Sequence, residues 1–128
     1  MDVKLDRVVV LVKDFERSLS FYRDMLGLPL TRSWDRPDSK GALFGVGDSA
    51  IEILWVPGGK NNEACDFKLP FSKIHINLQV DDVDGCYSDL KKRGAPITEE
   101  PEDTFWGARL FRLNDPDGVH IVFLKWLT

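Results

Sequence analysis

A pattern that occurs twice constrains the fold of this chain more than any other feature of its sequence. Each copy consists of an alternating apolar strand, an aspartate and a short amphipathic helix that ends in glycine, over residues 7–27 and 75–94. Aligning the copies places Asp14 on Asp82, and what they share is patterning far more than identity. Two copies in a short chain predict two similar modules with a site where they meet. The first residue of each copy, Arg7 or His75, is therefore where we look first for function.

Composition and charge exclude several classes of protein. The chain has 128 residues, 43% of them hydrophobic, which is enough to bury one core without disulfides or a metal. Its two cysteines, Cys65 in a polar segment and Cys86 in the second helix, do not form a disulfide framework and favour a cytoplasmic location. No apolar run at the N-terminus is long enough for a signal peptide or a membrane span. A net charge of -4 without a basic stripe argues against nucleic acid and membrane partners.

Hydrophobic periodicity predicts the order βαβββ in each half of the chain. Helices are predicted from Asp14 to Gly27 and from Asp82 to Gly94, each with an aspartate cap and a glycine stop. The predicted strands are Lys4–Val12, Leu28–Trp34, Ala42–Val46, Ala50–Val56, Lys73–Val80, a weak strand over 96–98, Ala108–Leu113 and Val119–Trp126. Residues 35–41 have turn chemistry. The prediction is one domain of two modules, 1–56 and 73–128, joined by a linker over 57–72.

Two strands alternate in a way that predicts the wall of a wet cavity. In the first strand of the second module, Ile76 and Leu78 alternate with a polar row of His75, Asn77 and Gln79. In the last strand of the first module, Glu52 is a carboxylate on the face opposite to Ile51 and Ile53. A helix can cover only one face of each sheet, so we expect His75, Asn77 and Glu52 to face a cavity.

Two segments of the sequence resemble a known superfamily. The stretches VKDFERSLSFYRDMLGLPL and FWGARLFRLNDPDG, within the doubled βαβββ pattern, are similar to the vicinal-oxygen-chelate superfamily. That superfamily includes glyoxalase I, extradiol dioxygenases, fosfomycin-modifying enzymes and bleomycin-resistance proteins. The resemblance covers essentially the whole chain and implies an α+β fold in which two βαβββ modules form a curved mixed sheet with helices on its outer face. It does not by itself define a function, because the scaffold supports several chemistries and plain binding.

The resemblance also implies four positions for metal ligands. Enzymes of the superfamily hold a divalent metal through residues near the start and on the last strand of each module. These positions are Arg7, Glu52, His75 and Val122 in this sequence. Arginine has no lone pair to offer and valine has no donor atom. The dioxygenase pattern of two histidines and a carboxylate is matched once, at His75. The resemblance therefore favours a protein without a metal cofactor.

One neighbouring residue leaves a metal site open as the alternative. His120 shares a strand face with Val122 and would complete a set with Glu52 and His75, for Zn, Ni, Fe or Mn. Residues two apart on a strand are displaced by roughly 6.5 to 7 Å, however, which is large beside metal bonds of about 2.0 to 2.2 Å. We prefer to interpret Arg7 as the replacement of the metal, paired with Glu52 across adjacent strands.

Tryptophans suggest what such a protein binds. Bleomycin-resistance proteins, which resemble this chain in the segment around Trp106, sequester a flat cationic antibiotic between subunits. Of the four tryptophans, Trp55 is predicted in the core, whereas Trp34, Trp106 and Trp126 could stack on a planar ligand. The acidic run over 99–103 could attract a cationic ligand, although such a run is more typical of a solvated loop.

The sequence thus predicts a homodimer that binds or sequesters a small aromatic or cationic molecule. The candidate ligand-binding residues are Arg7, Glu52, His75, Asn77, Trp34, Trp106 and His120. The alternative is a metal-dependent lyase or dioxygenase that uses Glu52, His75 and a third ligand such as His120. Catalysis without a metal has His75 as its single candidate acid or base.

Overall fold

A computed structural model describes residues 1–57 and 74–127 of the chain. The chain divides into two compact units, Met1–Asp66 and Phe67–Thr128. Most of the predicted linker over 57–72, with Cys65, lies outside the described residues. The predicted module bounds and the single domain stay predictions.

The first unit is a four-stranded mixed sheet with a helix on one face. Its strands are β1 (Val8–Leu11), β2 (Leu30–Arg36), β3 (Ser39–Val46) and β4 (Ser49–Trp55). They lie in the order β1-β4-β3-β2, with β1 parallel to β4 and the other pairs antiparallel. Helix α1 (Phe15–Leu19) continues into a π-helical segment, Ser20–Met25, and contacts β3 and β4.

Local signals explain where this helix begins and ends. The Asp14 carboxylate accepts a hydrogen bond from the backbone N–H of Arg17, which satisfies one of the free donors of the first turn. Gly27 ends the segment with a φ of 70°, a left-handed conformation that favours glycine. The helix covers an apolar sheet face whose side chains are buried: Val10, Val12, Ala42, Phe44, Ile51 and Ile53.

The predicted turn over 35–41 is wrong in its extent. Turn geometry is confined to Pro37 and Asp38, and strands β2 and β3 occupy the rest of the segment. Cross-strand pairing explains the difference, because Trp34 lies opposite Gly41 and Asp35 opposite Lys40 in the antiparallel ladder. Trp34 and Gly41 are therefore paired strand residues and not part of the turn.

The second unit repeats the topology of the first. Its strands are β5 (His75–Gln79), β6 (Ile97–Asp103), β7 (Ala108–Asn114) and β8 (His120–Trp126). They lie in the order β5-β8-β7-β6, with β5 parallel to β8. Helix α2 (Val83–Lys92) is capped by Asp82, whose carboxylate accepts from the N–H of Gly85, and it contacts β6, β7 and β8. The α+β class and the two βαβββ modules are confirmed.

The acidic run belongs to a strand, so the prediction of a loop is wrong. Residues 99–103 lie in β6, an edge strand of the second sheet, and pair with β7. Arginines on β7 explain why so acidic a segment joins the sheet: Asp103 contacts Arg109 at 3.0 Å and Glu99 contacts Arg112 at 3.5 Å. Tertiary pairing outweighs the poor strand propensity of glutamate and proline here.

Arg109 joins helix α2 to the sheet. Its Nε and Nη2 donate to the two carboxylate oxygens of Asp84 at 3.0 and 2.8 Å, and its Nη1 donates to Asp103. Hydrogen bonding to Arg109 lowers the pKa of Asp84 below its usual value.

In the part of the chain that is described, no helix is both long and apolar enough to cross a membrane.

Arg109 makes the stability of the second unit depend on pH in a defined direction. Because the pKa of Asp84 is lowered by folding, its contribution is present above the unfolded value of about 3.9 and is lost as the pH falls through the folded value. We expect Arg109→Gln to lower the urea midpoint at neutral pH and to lower it less once Asp84 is protonated. Urea unfolding of both proteins at pH 7 and over a series of pH values below about 3.9 checks this, and a difference that stays constant as the pH falls would contradict it.

Candidate functional site

Each sheet has one face that its helix does not cover, named here the helix-free face. In the first unit the register of the strands places on this face Val9, Leu11, Trp34, Gly41, Leu43, Glu52 and Leu54. In the second unit it places there His75, Asn77, Gln79, Leu110, Arg112, Asn114, His120, Val122, Leu124 and Trp126. Six of the seven residues predicted to bind a ligand have positions on or beside these faces; Trp106 lies in the turn before β7.

The predicted pair of Arg7 and Glu52 is confirmed. Arg7 precedes β1, and its Nη1 donates to Oε1 of Glu52 at 2.7 Å. The Arg7 side chain is 41% exposed and that of Glu52 is 10% exposed, so the carboxylate is the buried partner. The contact is single rather than bidentate, because Nε of Arg7 donates to Asp6 at 2.8 Å instead. Hydrogen bonds from Arg7 to Asp6 and Glu52 raise its pKa, which keeps the guanidinium charged.

An apolar row crosses the sheet next to this ion pair. Leu11 lies opposite Leu54, Leu54 opposite Gly41, and Gly41 opposite Trp34, so the row spans all four strands. Leu11 is 38% exposed and Val9, one pair along β1, is 48% exposed. The first unit therefore has an open apolar surface beside a neutralised carboxylate.

Trp34 lies flat across the neighbouring strand. A Cβ built on Gly41 would overlap the indole of Trp34, so the ring occupies the space that a side chain at position 41 would fill. The indole Nε1 donates to the hydroxyl of Ser39 at 3.2 Å. The guanidinium carbons of Arg32 and Arg36 lie 5.9 and 6.0 Å from the ring centroid. Two cations of the chain itself thus surround the aromatic ring.

The second unit brings the two histidines of the chain together. His75 lies opposite His120 in the parallel pair β5–β8, with ring centroids 4.9 Å apart. Asn77 lies opposite Val122, one pair further along the same face, and is exposed. Burial lowers the pKa of His120, and the nearby charges of His75 and Arg112 lower it further, while Glu99 opposes them. His120 is therefore a neutral imidazole at neutral pH.

Arg112 is a site residue that the sequence analysis missed. It lies on β7 between Val122 of β8 and Glu99 of β6, one pair along from His120 on the helix-free face. The sequence signal was the alternation of β7, which puts Arg109 and Phe111 on one face and Arg112 on the other. That signal assigns a face but not a neighbour, since the neighbour depends on the register of β7 and β8.

Trp106 does not lie with the histidines. It forms an edge-to-face pair with Trp126, ring centroids 5.5 Å apart, and the two are 45% and 52% exposed. Trp126 follows His120 by six residues on β8, or about 20 Å at roughly 3.3 Å per residue. Trp55, which was predicted in the core, is half-buried with Lys40 over its ring.

The residues at the four metal-ligand positions do not fit a metal. Arg7 has no lone pair, Val122 has no donor atom, and Glu52 already accepts a charge-assisted hydrogen bond from Arg7. Across 1–57 and 74–127, no three side chains of the types His, Cys, Asp and Glu are grouped in a way that could hold a metal.

The chain is similar to known proteins in sequence and, separately, in fold. Residues 4–123 match the family model of the Glyoxalase/Bleomycin resistance protein/Dioxygenase superfamily. The uncharacterized protein YraH of Bacillus subtilis strain 168 is 34% identical over 131 residues, which cover 98% of this chain and 100% of YraH. Lactoylglutathione lyase of Haemophilus influenzae is 30% identical over 120 residues, covering 89% of this chain and 86% of the lyase. The crystal structure of TnmS3, an antibiotic binding protein from Streptomyces sp. CB03234, matches with a TM-score of 0.75 at 23% identity, over 98% of this chain and 97% of TnmS3.

Proposed function

The chain belongs to the Glyoxalase/Bleomycin resistance protein/Dioxygenase superfamily, and from that premise we propose that it binds and sequesters a small aromatic molecule without a metal. The binding surface in this proposal is the helix-free face of the first unit. Arg7, Glu52 and Trp34 are its polar and aromatic elements.

The observation that carries the proposal is the ion pair between Arg7 and Glu52. It joins two positions at which enzymes of the superfamily hold a metal, and its 2.7 Å distance is that of a charge-assisted hydrogen bond. A metal at Glu52 would have to displace this guanidinium and would meet its positive charge. The pair therefore supports binding without a metal.

The apolar row supports an aromatic ligand. Leu11, Leu54 and the indole of Trp34 form a continuous surface on which a planar molecule can lie, and burying apolar area stabilises a complex by about 25 cal/mol per Å². A sheet face gives such a surface little freedom to rearrange, which limits the entropic cost of binding.

The charges around this surface favour a ligand without positive charge. Arg32 and Arg36 flank the Trp34 ring, and the carboxylate of Glu52 is already neutralised by Arg7. A planar cation would meet two like charges at the ring on which it must stack. Of the two ligand classes predicted from sequence, aromatic or cationic, the geometry thus favours an uncharged or anionic aromatic molecule.

The names of the relatives support two different functions. TnmS3 is an antibiotic binding protein, which agrees with sequestration, whereas the Haemophilus relative is a lyase. We favour binding over a metal-dependent lyase or dioxygenase because Arg7 and Val122 cannot act as metal ligands. A homodimer remains part of the proposal.

Calorimetric titration of chelator-treated protein tests this function. The probes are 2-naphthylmethanol, which is neutral, and 2-naphthylmethylammonium, which has the same ring and a positive charge. We expect the neutral probe to bind more tightly than the cation and Trp34→Leu to weaken its binding about tenfold, the cost of roughly 1.4 kcal/mol of lost aromatic contact.

The same substitution at Trp106 is the matched control. Trp106→Leu removes an equally large ring from the second unit and should leave the affinity unchanged. If Trp106→Leu loses affinity and Trp34→Leu does not, the ligand binds at the Trp106–Trp126 pair, which would contradict the proposal. Tighter binding of the cation would contradict its charge argument.

A further inference from the structure

Two arginines on strand β7 have opposite surroundings. Arg109, on the helix side, uses its Nε and Nη2 edge to hold the carboxylate of Asp84 with two bonds, and its Nη1 to contact Asp103. Arg112, on the helix-free face, also has an acid at Nη1, since Glu99 lies 3.5 Å away. Its Nε is buried and has no hydrogen-bond partner among the described residues. Arg109 is thus held by two acids, whereas the guanidinium of Arg112 is only partly paired.

The unpaired Nε is costly unless an acceptor reaches it. A buried donor without a partner is destabilising, and more so when the group is charged. The 3.5 Å contact with Glu99 is longer than the 2.7 to 2.9 Å typical of charge-assisted hydrogen bonds, so it only partly satisfies the guanidinium. The Arg112 side chain is 31% exposed as a whole although its Nε is buried, so a small molecule can contact the guanidinium at its exposed atoms.

Neighbouring groups on this face suit an acceptor with negative charge. His120 and His75 are adjacent, and an imidazole can donate a hydrogen bond in either protonation state. Val122 and the buried Leu110 and Leu124 form an apolar cluster beside them, which strengthens a charge-assisted bond by excluding water. Glu99 is the acid that competes for Arg112, and its side chain is 56% exposed.

We propose that Arg112, His120 and His75 form a carboxylate-binding subsite on the helix-free face of the second unit. The ligand class is a small organic carboxylate, bound to the guanidinium of Arg112, with the imidazoles as additional donors. The subsite lies in the second unit and does not depend on the Trp34 surface, so it extends the proposed function and can fail separately from it.

The two histidines provide a specific readout. The chain has two histidines, both in this subsite, so the imidazole C–H signals in NMR spectra of tag-free, chelator-treated protein report on it alone. We expect benzoate at fixed pH to shift both signals in a saturable way, while benzamide, the neutral molecule of similar shape, does not. Arg112→Met should weaken benzoate binding by about 10- to 100-fold, as expected for loss of a charged hydrogen-bond pair.

Control variants separate binding from folding and from net charge. Lys92→Met removes one exposed positive charge from α2 and should change the benzoate affinity less than about twofold. Arg112→Lys keeps the positive charge but lacks the planar guanidinium that matches a carboxylate, and it should also bind benzoate weakly. Equal affinity of Arg112→Met and the parent protein, or equal shifts with benzamide, would overturn the proposal. Saturable shifts with inorganic phosphate but none with benzoate would overturn the assignment to carboxylates.

Discussion

Substitution of Gly41 by alanine is expected to abolish most of the binding of an aromatic probe while leaving the fold intact. The new methyl group would overlap the Cζ2 and Cε2 atoms of Trp34, so the indole must leave its position over β3. The ring would lose its bond to Ser39, and the apolar row would be interrupted next to Leu54. We expect at least a tenfold loss of 2-naphthylmethanol affinity, equivalent to about 1.4 kcal/mol, and a red shift of tryptophan emission.

Gly45 provides a closely matched control for this substitution. It lies on the same face of β3, and a methyl group there would make an ordinary contact of 3.4 Å with Cγ2 of Thr31. Gly45→Ala should therefore keep the parent affinity. If Gly41→Ala binds as tightly as the parent protein, the surface around Trp34 is not the binding surface.

Substitution of Phe111 by alanine is expected to cause the largest loss of stability in the second unit. Phe111 is fully buried on the helix side of β7, stacked on Phe123 at 5.3 Å and edge-on to Tyr87 at 5.4 Å. Removing a buried phenylalanine side chain costs about 3 to 5 kcal/mol, from lost apolar burial and the cavity that remains. Because Phe111 precedes Arg112 in β7, the carboxylate subsite should be lost with it.

Phe105 is the matched control, because it is the same residue type with a fully exposed side chain. Phe105→Ala should change the free energy of unfolding by less than about 0.5 kcal/mol. Urea unfolding of the three proteins checks both expectations. A cost below about 1 kcal/mol for Phe111→Ala would show that this stack does not hold the second unit together.

Local signals made the helices and most strands predictable. Asp14 and Asp82 are caps whose effect lies within three residues, and alternation along β5 assigned His75 and Asn77 to one face. The Arg7–Glu52 pair was also predictable, because adjacency of the first and last strands follows from the resemblance to a known topology.

Features that depend on cross-strand register were not predictable. The stacking of Trp34 on Gly41 requires their exact pairing in the β2–β3 ladder, and the sequence placed Gly41 in a turn. The contact of His75 with His120 depends on the β5–β8 register in the same way. Arg112 was missed because its relation to His120 and Glu99 arises from two strand pairs at once.

The metal content of the protein tests the central claim most directly. Elemental analysis is made on tag-free protein purified without chelator, and on its Arg7→Met and Glu52→Ala variants. We predict that the parent protein has far less than one equivalent of any first-row transition metal, and that its affinity for 2-naphthylmethanol does not change when EDTA is added. A stoichiometric metal in the parent protein that is lost in Glu52→Ala would contradict the claim that Arg7 takes the place of the metal, and would favour a metal-dependent lyase or dioxygenase.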